Sequence, residues 1–435
     1  MSDISTELGG RSLADYTNEK LRLELGAVLY TNTADMWRAY LVQQGYSGSV
    51  ADMMAKWYVD NNVPAQFRNY INSGLYLFRP YQLFADGSTG GWFDNSDLAT
   101  LYQDSALTTP AVINGPVGGQ TDKSGRGNHR TQATTASKPI LRGTPTGGNI
   151  LTNGDFVDGT DWTTGAGWAI DSGVATATTA SATLTHTLAA VAFRTYRVEY
   201  TITRTAGSVQ LSFGGTAGVS RALAGTYVDF ILATGTGVFT ITGTGFSGTI
   251  DNIVIQDATV GSVSAPYYLH YDGISQYLAS ASVDFSASDA AFICSAVDII
   301  GTSGILTIAS MGTSLNTLNS FHLAGGTYFR TYSKGTGAGS ATAYAPPSGV
   351  SVASAVARIS DDTNRLRVNG VHVSSDAADQ GTGTFAATPM YFGGRAASGY
   401  LEMLEGGVLV VNKMPTTADI LSAERYIGNR VNIIF

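Results

Sequence analysis

The chain has 435 residues, of which 13% are charged and 52 are glycine, and its formal net charge is −8. A single core seldom grows past about 250–300 residues, so the length predicts two or three domains. The glycine-rich, charge-poor composition favours short strands and tight turns and predicts a mainly β chain. No lysine occurs between Lys138 and Lys334, and the absence of a basic stripe argues against nucleic acid as a partner.

Residues 1–80 contain the helical part of the sequence, which we interpret as a small N-terminal attachment region. Behind the N-cap candidate Ser49, apolar residues recur at helical spacing: Val50, Met53, Met54, Trp57 and Tyr58. Their common face either docks on another protein of an assembly or packs on this chain's own sandwich. The first residues have neither a basic nor an apolar stretch, and no long apolar run occurs elsewhere, so we expect a chain made in the cytoplasm without a signal peptide or membrane insertion.

Residues 81–145 are irregular, whereas residues 148–258 alternate between apolar and polar side chains. Tyr196, Val198, Tyr200 and Ile202 point one way while the residues between them point the other, which predicts a strand with one buried face. Glycine-rich turns separate further strand candidates at 208–213, 226–232, 237–242 and 249–255. This arrangement predicts a β-sandwich.

The same alternation returns from residue 262 to the end of the chain. Asn369-Gly370 lies between two alternating runs and predicts a two-residue type I′ hairpin. Residues 416–427 predict a short helix near the C-terminus. The single cysteine, Cys294, lies in an apolar run and is interpreted as a small buried core residue.

Three sets of motifs resemble known families. Tyr-Leu-His-Tyr-Asp-Gly-Ile-Ser-Gln-Tyr-Leu (268–278) resembles the opening strand of a concanavalin A-like, laminin-G-type jelly roll, and residues 390–395 with 406–411 resemble its closing strands. Residues 92–97 and 122–129 resemble the segment that precedes this strand in phage and bacterial surface proteins. The N-terminal stretch is similar to the start of phage virion proteins.

About 120 residues separate that preceding segment from the Asp-Gly strand, and they resemble a carbohydrate-binding module of the family 4/9 type. The resemblance rests on residues 149–156, 195–200 and 248–255. It implies a mainly β fold with two β-sandwich (jelly-roll) domains, one inserted in the other. Residues 81–145 and 262–435 would form the outer, discontinuous sandwich, and residues 148–258 the inserted one. Sandwich termini lie close together, which makes such an insertion geometrically easy.

The resemblance to carbohydrate-binding modules also implies candidate ligand residues. Aromatic faces stack on sugar rings, and Trp162, Trp168 and Tyr227 are the candidates in the insert. The alternative, in which these rings pack in the core, remains open. The outer sandwich offers a second set of candidates on its surface: Tyr328, Tyr332, Tyr391 and Tyr400.

Members of that module family often hold a structural calcium ion near the opening motif and the closing strand. Here Asp155 and Asp251 match the family's oxygen ligands, whereas Val157 stands where the family has a glutamate. Asp158 is a replacement candidate, because calcium takes oxygen ligands. The sequence implies no other cofactor.

The sequence does not favour an enzyme. Glycoside hydrolysis needs two carboxyl groups about 5–9.5 Å apart across the substrate. The best candidates, Glu402 and Glu405, lack the spacing of jelly-roll glycosidases, and we interpret them as residues of a surface strand. The five histidines are scattered singly and predict no zinc site.

These observations together predict a structural protein of a phage particle. We expect it to be tail- or fibre-associated, attached to other virion proteins through its N-terminal helices and displaying its sandwiches to bind host-surface polysaccharide. Weak sites are effective in many copies, so a homo-oligomer is expected. The alternative is a capsid or collar decoration protein that binds no sugar. An endoglycanase, the third hypothesis, lacks a suitable carboxylate pair.

Overall fold

The computed structural model describes residues 80–435 except 172, 301–304, 315–316 and 396–397, together with isolated positions before residue 80. The predicted helical attachment region at 1–80 therefore lies outside the described residues, apart from those isolated positions. The described residues form 25 strands, three short 3₁₀ helices and a C-terminal α-helix, α1 (Thr417–Asn429). This confirms the mainly β fold. Within these ranges, no helix has the length and apolar character needed to span a membrane.

The strands fall into three groups along the chain. The first group is β1 (Gly90–Asp94), β2 (Leu101–Tyr102), β3 (Gly119–Gln120), β4 (Arg130–Thr131) and β5 (Ile140–Pro145). The second is β6 (Trp162–Thr164), β7 (Trp168–Asp171), β8 (Val174–Ala180), β9 (Thr183–Ala189), β10 (Thr195–Phe213), β11 (Thr216–Arg221), β12 (Gly225–Leu232) and β13 (Val238–Asp257). The third is β14 (Val263–Asp272), β15 (Leu278–Val283), β16 (Ala290–Ile299), β17 (Ile305–Met311), β18 (Ser320–Gly326), β19 (Arg330–Lys334), β20 (Ser340–Ala341), β21 (Ser351–Arg358), β22 (Thr363–Val368), β23 (Val371–Asp376), β24 (Thr388–Phe392) and β25 (Glu402–Val411).

The first and third groups share two antiparallel sheets. Sheet A has eight strands in the order β23-β22-β21-β16-β25-β14-β5, with β1 also paired to β25, and sheet B has nine strands in the order β2-β3-β4-β15-β24-β17-β18-β19-β20. The second group forms sheet C by itself. The domain boundaries stay a prediction, because strand pairing alone does not show that either part folds independently.

The side chains between sheets A and B form one apolar core, which includes Phe93, Tyr271, Ile293, Phe321 and Val410. The other face of sheet A packs against α1, and this second core continues into sheet C through residues such as Tyr268 and Leu404. Sheet C therefore packs against the face of sheet A that also carries α1.

The two long strands of sheet C correct one prediction. Residues 203–207 and 243–248 were predicted as turns, but they lie inside β10 and β13. Register shifts between Arg204 and Ser208 mark β-bulges, and Gly207 and Gly245 adopt φ of 69° and 59°. A bulge uses the same glycine conformations as a turn but bends a strand without ending it, so each pair of predicted strands is one strand.

Three local predictions are confirmed. Asn369 and Gly370 have φ of 47° and 79° and join β22 to β23, as a type I′ hairpin requires. Helix α1 begins after the N-cap Thr416, whose hydroxyl oxygen accepts a hydrogen bond from the Asp419 backbone N–H at 3.1 Å. Cys294 is fully buried in sheet A.

Candidate functional site

The structure places both predicted ligand tryptophans in the core of sheet C. Trp162 is 8% exposed, and its ring lies 4.7 Å from that of Phe156. Its indole N–H donates to the Asn153 carbonyl at 3.0 Å. Trp168 is 6% exposed and packs against Phe246. Because other side chains cover both indole rings, sugar stacking by either residue stays a prediction that requires the ring to be uncovered first.

Tyr227, the third predicted ligand residue, is also buried. Its hydroxyl donates to the Leu223 carbonyl at 2.9 Å, and the Arg221 guanidinium lies 4.4 Å from the centre of its ring. Arg221 in turn forms ion pairs with Asp229 and Glu402. Tyr227 therefore supports the contact between sheets C and A, and the structure does not bring it together with the two tryptophans on a common open face.

The two predicted calcium ligands lie on adjoining segments. The Ile253 N–H donates to the Gly154 carbonyl at 2.9 Å. This bond joins the residue before Asp155 to the second residue after Asp251. The Asp251 carboxylate accepts hydrogen bonds from Asn252, and Asp155 is exposed. The residues that are described contain no group of three or more His, Cys, Asp or Glu side chains placed to hold a metal. Calcium binding stays a prediction.

Asp158, the replacement candidate for calcium, accepts hydrogen bonds from residues of its own loop. Its carboxylate accepts from the Thr160 N–H at 2.7 Å and from the Asn153 amide at 3.3 Å. The hydrogen bonds from Thr160 lower the pKa of Asp158. The group is thus ionised and exposed, as a calcium ligand must be, but it already organises this turn.

Glu402 and Glu405 correct another prediction, because both are buried and not surface-strand residues. Glu405 is fully buried and pairs with Arg130 through oxygen–nitrogen distances of 2.7 and 2.9 Å. Glu402 is 9% exposed and pairs with Arg221 at 2.5 and 2.8 Å. The Glu405 carboxylate faces sheet B and the Glu402 carboxylate faces sheet C, so the two cannot flank one sugar bond.

An aromatic surface lies on the face of sheet B that points away from the sandwich core. Tyr277 is its centre: the ring centroids of Tyr391 and Tyr400 lie 6.5 and 6.3 Å from its own, with interplanar angles of 44° and 41°. Tyr277 and Tyr400 are half-buried, and Tyr391 is 8% exposed. We call these three residues the tyrosine patch.

The sheet beside the tyrosine patch carries small side chains. Thr131, Ala279 and Tyr391 are register partners on β4, β15 and β24, so their side chains form one row across the outer face. Thr131 and Ala279 are both half-buried. A row of small residues beside three aromatic rings gives a shallow surface of the kind that accommodates a sugar ring against an aromatic face.

One local feature positions the ring of Tyr400, and another sets the protonation of the Tyr391 hydroxyl. The ring of Tyr400 lies directly on Gly394, where an added Cβ would be 2.4 Å from a ring carbon. Burial and the neighbouring Tyr277 raise the pKa of Tyr391. Its hydroxyl is therefore protonated at neutral pH and available as a hydrogen-bond donor.

Two residues of the tyrosine patch were predicted from the sequence. Tyr391 and Tyr400 were predicted as candidates, and the structure brings them together. Tyr328 and Tyr332 are not part of the patch. Tyr328 is 41% exposed beside Arg330, and Tyr332 lies three strands from Tyr391 in the same register row of sheet B. Tyr277 was missed as a ligand candidate, although it lies in the Asp-Gly motif segment; its position immediately before β15 was the available signal.

The sequence matches no protein-family model and no curated protein. Several solved structures resemble parts of it. The botulinum neurotoxin serotype C1 binding domain is 11% identical with a TM-score of 0.29, and the match covers 37% of this chain and 43% of that one. A Trypanosoma rangeli sialidase in complex with the inhibitor DANA is 13% identical with a TM-score of 0.29, covering 37% and 28% of the two chains.

A third similar structure is domain 4 of AbnA, a GH43 extracellular arabinanase from Geobacillus stearothermophilus, in complex with arabinotriose. It is 12% identical with a TM-score of 0.28, and the match covers 36% of this chain and 76% of that one. The chain spans less than half of the length of the neurotoxin binding domain that it matches. Likenesses of this size carry no argument about function.

Proposed function

We propose that this chain is a non-enzymatic, glycan-binding surface protein, and that it is a tail- or fibre-associated component of a phage particle. The tyrosine patch is the observation that carries the glycan-binding proposal. Its rings stand on a sheet face with small neighbouring side chains, and an aromatic face with nearby hydroxyl donors suits the apolar face and hydroxyl groups of a pyranose.

The charge arrangement supports a binding role over hydrolysis. Glu402 and Glu405, the candidate catalytic carboxylates, each form an ion pair with a buried arginine. The two ion pairs lie on opposite faces of β25. A glycosidase needs both carboxyl groups on the same bond. Shallow sites of this kind bind weakly one at a time, so the proposal includes display in several copies.

The glycan-binding proposal is tested on a glycan array with the multimerised full chain. Tyr277→Ala and Tyr400→Ala are each expected to weaken binding by about five- to tenfold, since aromatic stacking in other systems is worth about 1–1.5 kcal/mol. Tyr328→Ala is the matched control, because it removes an exposed tyrosine outside the patch and is expected to leave binding unchanged.

Two outcomes would contradict this proposal in different ways. If the multimerised native chain binds no glycan, the alternative of a purely structural decoration protein is favoured. If the chain binds but all three tyrosine variants bind equally well, the protein is an adhesin with its site elsewhere. Circular dichroism of each variant checks that the fold is retained.

The placement on a phage particle rests on the sequence resemblances and needs its own test. Mass spectrometry of purified phage particles from the strain that encodes this chain is expected to detect its peptides at a constant ratio to a major capsid protein. Peptides found only in the soluble fraction of the lysate would contradict it.

A further inference from the structure

A cleft of about 310 Å³ lies at the junction of the two-sheet sandwich and sheet C. One side comes from β5 and the loop between β2 and β3, and the other from β12 and the loops around residues 193 and 260. The residues that matter for its chemistry are Asn114, Arg142, Phe193, Phe230, Leu232 and Val260. The volume is at the lower end of the range for small-molecule pockets, which is about 300–1,000 Å³.

Arg142 forms the charged part of this cleft, and none of the described carboxylates pairs with it. One terminal nitrogen, Nη1, donates to Asn114 Oδ1 at 2.7 Å, and the guanidinium lies 4.2 Å from the centre of the Phe230 ring. The Nε atom is buried and has no hydrogen-bond partner within the part of the chain that the structure describes. Burial lowers the pKa of Arg142 to about 9, so the group is still cationic at neutral pH.

This arrangement contrasts with that of Arg130 and Arg221, whereas the buried Arg395 likewise has an Nε without a hydrogen-bond partner among the described residues. Arg130 and Arg221 are each held by carboxylates, at 2.7 Å and 2.5 Å respectively. The carboxylate of Asp257, two residues before the cleft residue Thr259, is already paired with Arg194 at 2.5 Å. A charge that is largely removed from water without a counter-charge destabilises a fold. Because the half-buried Arg142 lines the cleft, an anion that enters the cleft would supply the missing counter-charge.

Apolar side chains on the opposite side of the cleft are exposed to solvent. Phe193 is 81% exposed, Val260 is 65% exposed and Leu232 is 52% exposed. Phe193 also adopts a left-handed backbone conformation with φ of 65°, which is strained for a bulky residue. Exposed apolar groups together with local strain are typical of a binding surface.

We propose that this cleft binds a carboxylate-bearing sugar, with Arg142 pairing the carboxylate and Phe193 contacting the apolar face of the ring. A sugar acid combines the two properties that the cleft requires, an anionic group and an apolar ring face, in a body that fits the available volume. The site is separate from the tyrosine patch and does not depend on it.

The test measures binding of N-acetylneuraminic acid and of glucuronic acid to the full chain by ligand-observed NMR titration. The methyl ester of each acid is the matched ligand control, because it removes the charge and keeps the ring. Loss of a charge-assisted hydrogen bond weakens binding by about ten- to hundredfold, so both Arg142→Met and esterification are expected to have effects of that size. Phe193→Ser is expected to weaken binding by about three- to tenfold.

The Arg142→Met variant also separates ligand binding from folding. It removes a half-buried charge that no described carboxylate neutralises, so its thermal midpoint is expected to be equal to or higher than that of the native chain. Arg365→Met is the matched control: this arginine is exposed on β22, away from the cleft, and its loss is expected to leave binding unchanged.

Several results would overturn the proposal. These are no binding of either acid, equal binding of acid and ester, or unchanged binding by Arg142→Met. Tighter binding of a short acidic peptide than of either sugar acid would assign the cleft to a protein partner and would also overturn it. Because the tyrosine patch is tested with other residues, failure here leaves the glycan-array result unaffected.

Discussion

The contact between sheets C and A includes a buried arginine beside its apolar residues, and removal of this arginine gives a specific prediction. Arg221 on β11 is 6% exposed, and its guanidinium donates to Asp229 at 2.5 Å and to both oxygens of Glu402 at 2.5 and 2.8 Å. Arg221→Ala leaves two buried carboxylates without their cation. Breaking a buried pair in this way costs about 3–5 kcal/mol, and we expect the free energy of unfolding to fall by that amount.

The assay is urea denaturation followed by tryptophan fluorescence and by circular dichroism. Glu402→Gln provides an intermediate perturbation of about 1–2 kcal/mol, because Arg221 keeps Asp229 and the amide oxygen still accepts a hydrogen bond. Arg194→Ala is the matched control: its side chain is 50% exposed in the pair with Asp257, and exposed pairs contribute about 0–1 kcal/mol. An Arg221→Ala effect no larger than that of Arg194→Ala would refute the reasoning.

Three further predictions follow from buried or strained positions. Trp162→Ala is expected to lower the free energy of unfolding by about 3–5 kcal/mol, as large core truncations do; a loss below 1 kcal/mol in urea denaturation would show that the ring is not a core residue. Gly370→Ala is expected to lower the thermal midpoint, because the residue has φ of 79° and a new Cβ would lie 2.5 Å from the Phe435 ring; an unchanged midpoint in calorimetry would contradict this. Burial lowers the pKa of His270 and of His322 to about 3. As the pH falls, these histidines are therefore protonated in the unfolded chain before they are protonated in the folded chain. The free energy of unfolding keeps their full contribution above about pH 6.5 and declines from there toward pH 3. Each histidine is expected to lower the free energy of unfolding by about 2 kcal/mol as the pH falls from 7.5 to 5. His322→Gln should reduce the slope of the free energy of unfolding against pH, measured by urea denaturation at several pH values.

Features set by neighbouring residues could be predicted from the sequence. The Asn369-Gly370 hairpin requires two residues with positive φ, which is a local property of that dipeptide. The N-cap of α1 at Thr416 is equally local. The alternation of Tyr196 to Ile202 correctly predicted one buried strand face, because period-2 burial is a direct consequence of strand geometry.

Features set by distant residues could not be predicted in the same way. Glu405 is buried because Arg130, 275 residues away in the chain, neutralises it, and Arg221 does the same for Glu402 across 181 residues. Without the fold, a glutamate on a strand is expected to be exposed. The burial of Trp162 likewise depends on Phe239, which packs on it from another strand.

The candidate site shows the same division. Tyr391 and Tyr400 could be selected as surface tyrosines of the outer sandwich, but the row of Thr131, Ala279 and Tyr391 exists only once β4, β15 and β24 are in register. The cleft at Arg142 depends on how sheet C lies against β5. No local pattern around residue 142 indicates that its guanidinium lacks a carboxylate.

The central claim is that the tyrosine patch binds glycan, and a crystal structure of the full chain with an oligosaccharide selected on the array tests it most directly. We expect a sugar ring stacked on Tyr277 or Tyr400, next to the small side chains of Thr131 and Ala279. A sugar bound on another surface, with the tyrosine patch empty at saturating ligand, would contradict it.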